Sequence, residues 1–139
     1  MAYDPDNIFA KILRGEMPAI KVYEDAHALA FMDIMPAAKG HTLVIPKADA
    51  ETLFDLPAGI AGSLLLATQK VAQAVKAATE APGILLMQFN GAAAGQSVFH
   101  FHFHILPRWP GTGIDLHGKT RADTAELEAL AKLIRSKLG

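Results

Sequence analysis

Apolar residues recur along this chain at two alternating periods, and the switches between them mark out the elements. Ile8, Phe9, Ile12 and Leu13 fall at helical spacing, with Asp6 or Asn7 placed to cap the segment and Gly15 to end it. Lys21 to Glu24 and Ala28 to Asp33 then read as two strands joined by a tight turn at Asp25-Ala26-His27. Thr42 to Ile45 reads as a third, stopped at Pro46. From Pro57 to about Ala78 the helical period returns, with Ile60, Leu64, Val71 and Val75 on one stripe. That stripe and the run Leu64-Leu65-Leu66 are expected to form core, or core and a dimer seam. Ile84 to Asn90 and Val98 to Leu106 are two further strand candidates, bracketing the small-residue loop Gly91 to Ser97. Beyond Pro107 a segment rich in Gly and Pro runs to Gly118. Asp123 and Glu126 then offer a capping box for a helix to about Leu138. No internal repeat interrupts this order, which predicts an α+β domain with helices against one face of an antiparallel sheet of about five strands.

Composition narrows the chemistry. At 139 residues and 51% hydrophobic, the chain suits a single domain able to bury about two-thirds of its unfolded surface. With no cysteine, thiol nucleophiles, thiolate zinc sites and redox switching are excluded, leaving His, Ser, carboxylates and Lys. A formal charge of -1 argues against a basic nucleic-acid footprint or a polybasic membrane anchor, so any phosphate must be held by local geometry. The longest apolar stretches, Ile60 to Ala67 and Gly83 to Phe89, fall short of the ~18 to 20 residues that span a bilayer. The acidic start, Tyr3-Asp4-Pro5-Asp6, lacks the basic residues of a signal peptide, and a cytoplasmic protein is expected.

His100-Phe101-His102-Phe103-His104-Ile105-Leu106 alternates imidazole with hydrophobe. A strand turns residues i, i+2 and i+4 to one face, so three imidazoles line one surface while Phe101, Phe103 and Ile105 enter the core. Two tasks compete for such a row: metal binding, and nucleophilic attack by a neutral imidazole on phosphorus. Just before the row, Gly95-Gln96-Ser97 can present backbone N–H groups and a hydroxyl to phosphate oxygens, which favours catalysis.

The stretch from Ala94 through the three histidines to Leu106-Pro107-Arg108 resembles the signature of the histidine triad (HIT) superfamily. The likeness continues in Ile8-Phe9-Ala10-Lys11-Ile12, in Leu29 to Ile34 and in Gly40-His41-Thr42-Leu43-Val44-Ile45-Pro46-Lys47. It implies a HIT-like fold in one domain, with a core over about residues 6–110 and a C-terminal extension over about 111–139. The chain is similar to the Hint-like branch, which hydrolyses nucleoside phosphoramidates and related nucleotidyl compounds and is usually homodimeric. On that resemblance His102 is the nucleophile, forming a nucleotidyl-histidine that water resolves, and the His100 carbonyl holds its other nitrogen. His104 and Ser97 contact the phosphate or leaving group beside Gly95 and Gln96, and His41 supports the triad. Asp33 takes the ribose hydroxyls, while Ile8, Phe9, Ile12, Phe31 and Ile34 form an apolar slot for a purine base. The chemistry needs no metal or cofactor.

Three departures accompany the likeness. Where the family often carries an amide near the phosphate this chain has Phe89. Its neighbour Asn90 can replace that contact only if the strand end rotates, since adjacent strand residues face opposite ways. Some bacterial members bind structural zinc through cysteines flanking an Ile-Phe pair, positions that here are Asn7 and Ala10. The segment from Trp109 to Gly139 is unlike the short Hint tail. His27 and His117 are read as surface residues. Two other functions stay open: a dinucleoside polyphosphate hydrolase of the fragile-histidine branch, and a nucleotide-binding or scaffold protein with little turnover.

Overall fold

The structure, a computed structural model, describes residues 3–113, 115 and 117–139. Helix α1 (Ile8–Leu13) is capped by Asn7, whose side chain accepts the Ala10 N–H. Strands β1 (Lys21–Glu24), β2 (Ala28–Met32) and β3 (Thr42–Pro46) follow, then α2 (Ala58–Thr79), β4 (Gly83–Met87), a short 3-10 turn (Ala92–Ala94), β5 (Phe103–Arg108) and α3 (Thr124–Ser136). The five strands form one antiparallel sheet in the order β1-β2-β3-β5-β4.

Two predicted strands are shorter than their hydrophobic patterns. The strand expected over Ile84 to Asn90 stops at Met87, because Gln88 and Asn90 exchange side-chain hydrogen bonds and Asn90 also accepts the Leu53 N–H. Such local bonds offer an alternative to the ladder. The strand expected from Val98 begins only at Phe103. There Pro46 ends β3 without an N–H to donate, and its carbonyl accepts from the His100 ring instead of from a paired strand.

Alternation sorts the sheet residues onto two faces. Val22, Ala28, Ala30, Met32, Val44 and Ile105 pack with Leu64, Val71 and Val75 of α2 and with Leu127, Ala131 and Ile134 of α3. On the opposite face Leu29, Phe31, Leu43 and Ile45 pack with Phe9 and Ile12 of α1. The helices therefore do not all lie on one face: α2 and α3 share one, and α1 takes the other because its apolar pair Phe9 and Ile12 is complementary to the second set of strand residues. On α2 only Leu64 of the leucine run is core, since Leu65 and Leu66 are 55% and 67% exposed. Asp123 caps α3 by accepting the Glu126 N–H. Among the described residues no helix is long and apolar enough to cross a membrane.

Candidate active site

The site grows from the register of β5 on β3. His104 pairs with Leu43 and Phe103 with Val44, and directly paired residues share a face. His104 thus joins the α1 face and Phe103 turns to the helix-side core. The alternation persists into the irregular segment before β5, where Phe101 is buried in that core and its N–H donates to the Ala50 carbonyl at 2.8 Å. His100, His102 and His104 consequently lie on one side, all buried. Successive rings of His102 and His104 have centroids 4.8 Å apart, and the Phe9 ring stands perpendicular to His102 at 5.0 Å.

Hydrogen bonds fix the tautomer of each imidazole. The His100 carbonyl lies 2.6 Å from His102 Nδ1, and a carbonyl can only accept, so Nδ1 carries the proton and Nε2 keeps its lone pair. His100 donates from Nε2 to the Pro46 carbonyl at 2.9 Å, leaving its Nδ1 to accept from the Tyr3 hydroxyl. On the far side of the row His41 Nδ1 accepts the Ala37 N–H at 3.0 Å. Neutral His41 therefore donates from Nε2 to His104 Nδ1, 2.9 Å away. His104 is left with a proton on Nε2, a buried atom with no hydrogen-bond partner among the described residues. A lone pair on His102 thus stands beside an unspent donor on His104.

Burial holds these rings neutral. Desolvation, aided by neighbouring imidazoles, pushes His102 and His41 down to about 4 and His104 to about 3, and it lowers His100 as well. The Asp33 carboxyl moves the other way, raised chiefly by burial against the pull of the Met35 N–H that its Oδ1 accepts at 2.8 Å. Its Oδ2 lies 3.5 Å from His41 Nε2. Asp33, His41 and His104 are close enough to suggest a metal set, their ligand atoms lying within 4.8 Å of one another. Their protonation argues for a hydrogen-bonded chain: His41 Nε2 carries a proton and His104 Nδ1 is occupied in accepting it.

The remaining sequence-predicted residues divide. Phe9, Ile12 and Phe31 pack together, with Ile8 and Ile34 40% and 42% exposed beside them in sequence. Ser97 is exposed. Gly95, at φ 103°, lets the chain turn back after the Ala92–Ala94 turn, a conformation that favours glycine. The Gln96 amide turns inward, accepting from Gly91 N–H and donating to the Glu51 and Val98 carbonyls, so it braces the loop. Asn90 is not brought to the histidines: its amide is committed to Leu53 N–H and Gln88, while Phe89 on the opposite side places its ring 5.1 Å from His104. The strand end does not rotate, and the alternation that separates neighbouring residues prevails.

A family model described as the HIT domain matches residues 14–111, and it contains the whole histidine row. The chain belongs to the HIT family. A crystal structure of a Hit-like protein from Bartonella henselae superposes with a TM-score of 0.92 at 49% identity, over 99% of each chain. Protein hit of Bacillus subtilis (strain 168) is 44% identical across 93% of this chain and 90% of its own length. An adenosine 5′-monophosphoramidase of Candida albicans is 32% identical across 99% of this chain and 100% of its own.

Two residues of this HIT protein's site gave no signal in the sequence. Tyr3 reaches His100 from 97 positions away. His117, an exposed residue as expected, nevertheless donates from Nε2 to the Gly95 carbonyl at 2.9 Å and packs its ring on Phe89. Neither belongs to a periodic pattern, and only the folded chain brings them to the row.

Proposed function

We propose that this HIT protein is a nucleotide hydrolase that cleaves nucleoside 5′-phosphoramidates or adenylated compounds through a nucleotidyl-histidine on His102. One observation carries the reading. His102 is a buried, neutral imidazole whose Nδ1–H is tied to the His100 carbonyl, which leaves Nε2 as a free nucleophile. In the first step the Nε2 lone pair forms a bond to the α-phosphorus and the bond to the leaving group breaks. The departing nitrogen takes up one proton from solvent as the bond breaks and leaves as a neutral amine. The positive charge that develops on His102 is stabilised by its hydrogen bond to the His100 carbonyl. His104 Nε2–H is the donor for a phosphoryl oxygen, preset by His41 and needing no reorientation as charge builds there. Water then attacks the phosphorus, releasing one proton to solvent; the bond to Nε2 breaks and neutral His102 returns.

The same reading gives Ser97 and the Gly95-Gln96 backbone the phosphate end, and Asp33 the hydroxyls of the ribose. Ile8, Phe9, Ile12, Phe31 and Ile34 form the slot for a purine base. The working unit is a cytoplasmic homodimer. Supporting that assembly, β4 is a sheet edge bearing Leu86, 44% exposed, and α2 presents Leu65 and Leu66.

The deciding experiment is hydrolysis of adenosine 5′-phosphoramidate in EDTA by the wild type and by His102→Ala, with intact-protein mass followed during turnover. Turnover with a transient adenylate adduct, both lost in the variant, is expected. A wild type that binds nucleotide and neither turns over nor acquires the adduct makes the protein a nucleotide binder instead.

A further inference from the structure

Residues 117–122 bridge the two walls of the cleft. On one side the His117 ring donates to the Gly95 carbonyl in the loop before the histidine row. On the other, Ala122 N–H donates to the Ile34 carbonyl at 2.9 Å. Between these anchors Gly118 presses its backbone onto the turn after β2, where a side chain's Cβ would collide with the carbonyl oxygens of Met35 and Pro36. Only glycine permits that approach. The crossing suspends His117 over the site, with its ring centroid 5.8 Å from Phe89 and 6.3 Å from His104. Its charge would be felt by Asp33, His41, His102 and His104 alike.

Phe89 makes this placement consequential. Its ring lies against His104 and Gly95 and presents an apolar surface there, while the amides of Asn90 and Gln96 are both committed elsewhere. Neither amide is free to present a polar group beside the Phe89 ring. His117 supplies one: Nε2–H is committed to Gly95, and Nδ1 is the atom left for a ligand.

We propose that His117 is a specificity-determining residue of the site, contacting the phosphate end of the bound nucleotide through Nδ1. This rests on the hydrolase reading above. A phosphate oxygen can only accept, so the contact requires a proton on Nδ1, a form that the phosphate dianion itself favours.

The test compares binding of AMP and of adenosine to the wild type, His117→Ala and His117→Gln by calorimetry, with Tm recorded for each. Gln keeps a donor for the Gly95 carbonyl and so preserves the strap. The expected result is AMP binding weakened about tenfold or more in both variants, the loss of one hydrogen bond to a charged group, with adenosine affinity unchanged in both and Tm unchanged in His117→Gln. Equal weakening of AMP and adenosine, full recovery in His117→Gln, or no effect on AMP would each overturn the proposal and leave His117 as an anchor of the strap. A wild type that binds neither ligand removes the hydrolase reading, and this inference with it.

Discussion

His104 shows how much of this site is decided by single hydrogen bonds. Its Nε2 proton is set by a chain that starts at a backbone N–H: Ala37 fixes His41, His41 fixes His104, and Nε2–H is the result. Replacing His41 by Ala removes the donor and leaves His104 Nδ1 buried without a partner. The variant is expected to lose about 1–3 kcal/mol of stability, measurable by denaturant titration, and to lower kcat more than it raises KM. The neutral rings also predict pH behaviour. His41 and His102 sit at about 4 and His104 at about 3 when folded, against 6.5 for free histidine, so between those limits the unfolded chain binds more protons. The stability these rings contribute is complete above about pH 6.5 and is lost as pH drops toward 4, which unfolding curves across that range would register. For the same reason the acid limb of kcat/KM is expected nearer pH 4 than 6.5. A limb at the ordinary histidine value would mean that His102 is solvated in the working enzyme.

At the level of elements, the hydrophobic periods located the α-helices and strands of the described residues but not all their ends. The start of β5 was hidden because His100 and His102 alternate with phenylalanine as strand residues do. What stops the ladder is Pro46, whose carbonyl takes the His100 ring. The end of β4 was hidden because the bonds among Gln88, Asn90 and Leu53 depend on a loop far away in the chain. Within α2 the period predicts which residues matter. Leu64, 1% exposed against the sheet, should cost about 2–5 kcal/mol when cut to Ala, whereas Leu65, on the open side, should cost far less in a monomer. Paired denaturation curves would separate them.

Across the whole molecule, three of the exposed apolar residues carry the proposed assembly. Leu65 and Leu66 on α2 and Leu86 on the edge strand β4 are the surface assigned to the homodimer. Leu66→Glu is expected to yield monomers by light scattering while the far-ultraviolet circular dichroism stays native, since the side chain is 67% exposed and adds nothing to the core. A wild type that is monomeric at all accessible concentrations would remove that assignment. Sequence by itself determined the order of the elements and the histidine row, because each follows from local period and from residue types whose chemistry is tied to neighbours in the chain. Only the tertiary structure decided which nitrogen of each imidazole bears a proton, that Phe89 rather than Asn90 meets His104, and that Tyr3 and His117 belong to the site. Those outcomes rest on contacts between segments far apart in sequence, which no local pattern encodes.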